Sequence, residues 1–434
     1  MTITRRFDGQ PPLVVDPEIR GAALVLSADS LAAWLGASLG TPCTVVVRRL
    51  RHQPGIRIVV GFDLTTAREG QRLTRTCLAS AYADRPRPEM ARLLATVAPE
   101  HLLAHDPARA VLVTGAAGDR ALPLLPVLFG RNGVATVLDR MLPGHRCAGA
   151  PRVSTLRYDP ERRWTGALEH DDGEPLLLRG HHGVGAMEAA ANAYVQFGDQ
   201  FADVPVRVPG VLGTSAALAS TALGRTPGKH LGGSTRTGDW HVAGAALAHL
   251  HDCVGRRLST VEPEAVGVAI ERTADRLAVL LPERATDVRE LAAIVTRILE
   301  RTPRDRVPLH GAFTPDRVVV DHDGVPTLLD LDSACFGPSA ADVGSLVAAT
   351  MVTAEAVGMA PRGRREVHAF VDGYTSVRRQ PDPFAVGVHA VAARLRTAIQ
   401  PFSEGAPDWR DQVGRRVDNA WAALDEVCVV GGLR

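Results

Sequence analysis

Apolar positions recur at helical spacing over residues 26–40, where Leu31, Trp34 and Leu35 share a face and Ser27 or Asp29 can cap the first turn. Two β-branched runs follow, 44–50 and 56–64, and Pro54-Gly55 between them predicts a hairpin. Residues 86–104 read as helix, while 106–150 give mixed signals. A second β-rich block then predicts three short strands over 152–158, 162–169 and 174–179, with Asp171-Asp172-Gly173 as the second turn. A helix over 185–201 leads to two more strands, 206–212 and 217–223, which stop at Thr226-Pro227-Gly228. Beyond residue 238 the pattern is mostly helical, over 241–254, 263–281, 287–301, 363–374, 385–399 and 409–427. The whole reads as an α+β chain whose β-rich part precedes a helical part.

One stretch echoes another. Leu50-Arg51-His52-Gln53-Pro54-Gly55-Ile56-Arg57 and Leu156-Arg157-Tyr158-Asp159-Pro160-Glu161-Arg162-Arg163 share Leu, Arg, Pro and the final Arg. Both octets span an expected strand–turn–strand unit. Residues 1–150 are therefore either a partial, degenerate copy of the later sheet or a chance match in an Arg- and Pro-rich chain.

Composition narrows the function classes. The 434 residues carry 49 basic and 48 acidic side chains, a net +1, so a basic face for nucleic acid or an anionic membrane has no support. Lys229 is the only lysine. Arginine is thus the default cation, a bias that, with heavy Ala, Gly, Pro and Val usage, suggests a GC-rich bacterial genome. The six cysteines show no C-x-x-C pair or metal-ligand spacing, and read as reduced thiols of a cytoplasmic protein. Neither a signal peptide nor a run of ~18 apolar residues is expected.

The informative stretch is His310-Gly311-Ala312-Phe313-Thr314-Pro315-Asp316-Arg317-Val318-Val319-Val320, then Thr327-Leu328-Leu329-Asp330-Leu331-Asp332. The turn Asp321-His322-Asp323-Gly324 joins the two, and Gly337 and Asp342-Val343-Gly344 follow. This order resembles the aminoglycoside phosphotransferase and choline kinase superfamily. There His-Gly-Asp is followed after four residues by Asn and an apolar strand, and a second strand runs into Asp-x-Asp or Asp-x-Glu. The helical segment 244–251 is also similar. The resemblance implies a protein-kinase-like, two-lobed fold: an accessory region over 1–150, a β-rich N-lobe over 151–228 and a helical C-lobe over 229–434. It implies ATP and Mg2+ as cofactors, and phosphoryl transfer to a small-molecule hydroxyl. That chemistry needs a carboxylate base, metal ligands and a cation on the phosphates.

Carried over residue by residue, the resemblance makes Asp330 the metal-binding acid and Asp332 its companion, although Asp330 at a strand end could equally serve backbone amides. His310 becomes a structural member of the catalytic loop. Asp342 is expected to bond loop amides. The departures are sharper. Ala312 stands at the base position and cannot accept a proton. Arg317 stands where the metal-binding Asn belongs, and Arg179 replaces the strand-three lysine that grips phosphates. Glu188 is either the partner of Arg179 or a solvated helix residue. An engineered Asp-to-Ala change at 312 would leave Arg317 and Arg179 unexplained.

Three weaker signals are set aside. Val111–Gly118 lacks the third glycine of a dinucleotide-binding turn. His181-His182, near His170, reads as a solvated loop rather than a metal site. Gly36-Ala37-Ser38-Leu39-Gly40 matches a nucleophile-elbow pattern but falls at a helix end.

Two functions stay open. One is a kinase-fold protein that binds nucleotide or a ligand but transfers phosphate poorly or not at all, with a protein partner if it is a pseudoenzyme. The other is an active ATP-dependent kinase of a small metabolite. Ala312, Arg317 and Arg179 favour the first. The arginines of the C-terminal helices, such as Arg365, Arg378 and Arg394, argue against a polycationic acceptor. Neither nucleic acid nor membrane is expected as a partner.

Overall fold

A computed structural model describes residues 16–430 apart from 69–70, 84–93, 96, 131–132, 145–150, 170–174, 257 and 303. The chain forms two compact units. One comprises Met1–Met187, Gly213–Ala222 and Gln400–Gln412; the other comprises Glu188–Leu212, Leu223–Ile399 and Val413–Arg434.

The first unit is built on two sheets. Helices Ala22–Leu26 and Ala28–Leu39 open it, the second capped by the Ser27 hydroxyl, which accepts from the Ser30 amide at 3.2 Å. Strands β1 (Cys43–Gln53), β2 (Arg57–Arg68), β3 (Gln71–Tyr82), β4 (Leu102–Asp106) and β5 (Val111–Gly115) then form an antiparallel sheet in the order β1-β2-β3-β5-β4. The hairpin expected around Pro54-Gly55 is present. Ile58, Val59, Val60 and Phe62 are all buried, so the middle of β2 is covered on both faces.

Helices Leu124–Leu128 and Gly133–Met141 precede the second sheet, β6 (Arg152–Asp159), β7 (Arg163–Glu169), β8 (Leu176–His181), β9 (Val211–Ser215) and β10 (Ser220–Gly224). Its order is β6-β7-β8-β10-β9. One apolar core joins Leu122, Leu125 and Leu138 to Tyr158, Trp164 and Leu178, so those two helices share a core with the sheet that follows them. Gly166 lets the Trp164 ring lie across the strand: a Cβ there would stand 2.2 Å from the ring.

Several expectations need correction. Leu94 and Ala95 are helical, and residues 84–93 lie outside the described residues, but 102–104 belong to strand β4 rather than to the expected helix. The apolar Leu102-Leu103-Ala104 run pairs along β5 once Pro99 has opened a 3-10 turn. Strand β3 was not foreseen. The segment expected as strand 206–212 becomes β9 only from Val211. Before it, the Arg207 backbone bonds to Pro326 and Leu328 instead, at 2.9 and 2.8 Å. The Asp171-Asp172-Gly173 turn lies outside the described residues.

The second unit is helical. Its helices include Thr237–Asp252, Pro263–Leu280, Ala285–Arg301, Ala360–Thr375, Pro383–Thr397 and Trp409–Val430, each within a few residues of its expected span. A further helix, Ser339–Ala356, carries Asp342 in its first turn; the hydrophobic pattern does not mark it, because it is small-residue rich and buried on several sides, leaving no polar face to set a period. Two small sheets interrupt the helices: β11 (Lys229–His230) with β14 (Val318–Val320) and β15 (Pro326–Leu328), and β12 (Ser259–Thr260) with β16 (Cys335–Gly337) and β13 (Val307–Leu309). Among the described residues no helix is long and apolar enough to cross a membrane.

Candidate functional site

The two small sheets of the second unit bring the chemistry-bearing loops together. β13 pairs antiparallel with β16, setting Leu309 opposite Cys335, and β14 pairs with β15, setting Val318 opposite Leu328. The loop after β13 and the turn after β15 therefore lie side by side. The Leu329 amide donates to the Arg317 carbonyl at 2.8 Å. Gly311 has φ +77°, and a Cβ there would stand 1.9 Å from the Ser333 carbonyl oxygen, so the loop touches the acidic turn backbone to backbone.

His310 holds this junction. Its ring is buried, and Nε2 donates to the Leu329 carbonyl at 2.7 Å. Burial pushes its imidazole pKa down despite the pull of Asp342. Asp342, in the first turn of helix Ser339–Ala356, accepts the His310 amide at 2.6 Å and the Gly311 amide at 3.0 Å, the role expected of it. Burial would raise this carboxyl, but His251 (Nε2 at 3.4 Å), the charge of His310 and the loop amide outweigh it and hold the pKa below its ordinary value. His251 in turn bonds the Tyr374 hydroxyl through Nδ1 at 2.8 Å. Phe313 packs between His310, which it meets edge to face, and Phe370, which it meets at a tilt, and shuts the back of the loop.

Asp330 sits in the left-handed region, φ 61° and ψ 46°, at the start of the Leu331–Ser333 turn. Its amide donates to the Tyr194 hydroxyl at 3.0 Å. Its carboxylate lies 3.8 Å from Nε of Arg317, with both side chains mostly buried. Ala312, in the same loop as Arg317, is half-buried.

This donor set does not suit a divalent ion. Two unit charges ~4 Å apart under protein-like screening interact by about 4 kcal/mol, and a dication doubles that. Arg317 would repel a dication lodged on Asp330. Among the described residues a group of three metal-ligand side chains forms not there but at the exposed turn Asp321-His322-Asp323. Asp321 is committed to that turn, accepting the Asp323 and Val325 amides and pairing with Arg207 at 2.7 Å.

A cavity of about 200 Å3 adjoins the loop, lined by Trp240, Asp316, Thr350, Arg362 and Glu366 among others. Trp240 is 2% exposed, and its indole N–H has no hydrogen-bond partner among the described residues.

His310, Ala312, Arg317, Asp330 and Asp332 thus lie on one loop and the turn against it. Arg179 is buried on β8 in the first unit, and Glu188 is exposed on helix Val184–Gln200 in the second. His181, expected in a solvated loop, is the buried last residue of β8, with Nε2 3.2 Å from the Thr221 hydroxyl. Sequence reasoning missed Tyr194, His251 and Trp240; the first two act on partners 91 to 136 positions away, which leaves no local pattern.

The model of the Phosphotransferase enzyme family (APH) matches residues 165–386, half of the chain, and the chain belongs to that family. Its structure is similar to that of a choline/ethanolamine kinase family protein from Mesorhizobium loti, at 16% identity over 68% of this chain and 95% of that one, with a TM-score of 0.50. It is also similar to an amicoumacin kinase in complex with AMP-PNP, Ca2+ and Ami, at 9% identity over 68% and 95%, TM-score 0.50. These likenesses establish the kinase-like α+β fold. No curated protein matches the chain.

Proposed function

We propose that this chain is a nucleotide- or ligand-binding member of its family in which phosphotransfer is weak or lost. One observation carries the reading: the Arg317 guanidinium lies against Asp330, the acid at the family's metal position, while Ala312 stands at the base position. Loss of a general base costs about 10² to 10⁴ in rate. A fixed cation beside Asp330 supplies positive charge to a phosphate group without an ion, and weakens the site for Mg2+. The cavity beside Asp316, with its unpaired Trp240 N–H, suits a small ligand bearing a hydrogen-bond acceptor.

The test is a thermal shift with ATP, with and without Mg2+, together with ATP consumption by wild type and by Asp330→Ala. Stabilisation by ATP that does not grow with Mg2+, and equal, background-level turnover in both proteins, are the expected results. A metal-dependent turnover abolished by Asp330→Ala would overturn the reading. A second reading, an active kinase of a small-molecule hydroxyl, draws on Asp316, a carboxylate on the same cavity that stands in for the missing base. Under it, Asp316→Asn removes the turnover. Both readings take the protein as cytoplasmic.

A further inference from the structure

The two sheets of the first unit repeat one another in details that strand order alone does not require. Both run first, second, third, fifth, fourth. The β1–β2 turn has Gly55 at φ +64°, and the β6–β7 turn has Glu161 at φ +62°, at matching places in the echoed octets. Each of these residues donates its amide to a carboxylate that precedes its sheet: Gly55 to Asp16 and Glu161 to Asp119, both at 2.8 Å. The same oxygen is held three residues earlier in each strand, by His52 Nε2 on Asp16 and by the Tyr158 hydroxyl on Asp119, both at 2.9 Å. A left-handed alanine opens each fifth strand, Ala110 at φ 53° and Ala219 at φ 43°. Each accepts the amide of the last residue of the third strand, from Tyr82 at 3.0 Å and from His181 at 2.8 Å.

A left-handed alanine costs roughly 1 kcal/mol. Chance does not put the same costly residue at the same hydrogen bond twice. The register also shows what the first copy lacks. Ser80 pairs with Val59 as Arg179 pairs with Thr165, each two positions before its strand end. Serine therefore occupies the place of the phosphate-gripping cation, and the first copy has no means of repeating that grip.

What the first copy does hold is the turn of the second. Arg57 makes a two-pronged pair with Glu161, at 2.8 Å to each oxygen, and Arg51 reaches the Pro160 carbonyl at 2.8 Å and Glu161 at 3.3 Å. Gly61 leaves room for this: a Cβ there would stand 2.7 Å from Pro160. In kinases a loop over the nucleotide covers its phosphates. Here the corresponding turn carries no glycine, its Glu161 amide is spent on Asp119, and its Arg162 amide is spent on the Asp159 carbonyl at 3.1 Å.

We infer that the described part of residues 16–115 is a second copy of the small lobe, and that this copy is an autoinhibitory latch: Arg51 and Arg57 keep the Glu161 turn in the form whose amides are spent on Asp119 and on the Asp159 carbonyl, unavailable to a nucleotide's phosphates. The inference rests on the nucleotide-binding reading above. In the full-length chain, Glu161→Gln weakens both arginine contacts and Arg57→Lys keeps the charge but loses the two-pronged geometry. Amide hydrogen exchange over 159–163 and ATP affinity are measured on both variants and on wild type. The expected result is exchange faster by roughly tenfold at the turn and ATP affinity raised several-fold, more in Glu161→Gln than in Arg57→Lys. Faster exchange with unchanged affinity reduces the contact to packing and overturns the latch while the nucleotide reading stands. Unchanged exchange overturns it as well. Failure of wild type and both variants to bind ATP removes the nucleotide reading and the latch with it. If Glu161→Gln does not fold, Arg57→Lys decides by the same measurements.

Discussion

Arg317 approaches Asp330 to 3.8 Å, so the carboxylate proposed above as the metal-position acid already faces a fixed positive charge. Under the proposed reading, Arg317→Asn removes that charge and supplies a neutral ligand in its place. Combined with Ala312→Asp it rebuilds the base as well. The double variant is expected to gain Mg2+-dependent stabilisation by ATP, and ATP turnover about 10² to 10⁴ above wild type. Arg317→Asn alone should restore the metal dependence of binding without the turnover. Isothermal titration with and without Mg2+ separates the two effects, and a wild-type protein already dependent on Mg2+ would contradict the argument.

Asp342 serves two loop amides and His251 with one buried carboxylate. Asp342→Asn replaces one acceptor oxygen by a donor, leaving a buried amide unmatched at a cost of about 1–3 kcal/mol. Because the folded pKa of Asp342 is lowered, its contribution is present above the unfolded value near 4 and is lost as pH falls through the folded one. The melting temperature of Asp342→Asn should therefore lie below that of wild type at pH 7, and the gap should narrow under acid.

Asp119 behaves with the opposite sign. Burial raises its carboxyl from 3.8 to about 6, even though Tyr158 and the Glu161 amide donate to it. Folding thus favours the protonated form. Its contribution is fullest below about pH 4 and declines as pH rises towards 6, by roughly 3 kcal/mol for a shift of this size. Chemical denaturation across pH 4 to 7 should show wild type losing stability relative to Asp119→Asn. Parallel curves would count against this account.

Gly311→Ala tests the closeness of the loop to the acidic turn. The new methyl would meet the Ser333 carbonyl oxygen at 1.9 Å, and the backbone there has φ +77°. Strain of this kind costs on the order of 1–3 kcal/mol. A melting temperature within a degree of wild type would show that the turn yields.

Much of this was readable from the chain. Period-two and helical runs placed both first hairpins and eight helices, because most of those segments repeat their apolar positions at a fixed period. Strand β3 was missed because Cys77, Ala79 and Ala81 are small residues buried at its inner end, while its outer half carries exposed Gln71, Arg72 and Leu73. The His310 loop and Asp330 could be found because the chemistry fixes residue type and spacing together. Tyr194 and Trp240 could not, since the first serves a backbone 136 positions away and the second lines a cavity assembled from distant segments. The octet echo was ambiguous at four identities in eight. The hydrogen bonds to Asp16 and Asp119 are preserved where the letters have changed, His52 facing Tyr158 and Gly55 facing Glu161.

Tyr194 sits in the middle of helix Val184–Gln200, fully enclosed, and its hydroxyl receives the backbone of Asp330. The acid is thereby tethered to a helix rather than to its own loop alone. Any tilt or slide of that helix drags the carboxylate with it, so a molecule that grips the helix from outside would gain control of the charge balance beside Arg317 without touching the loop at all.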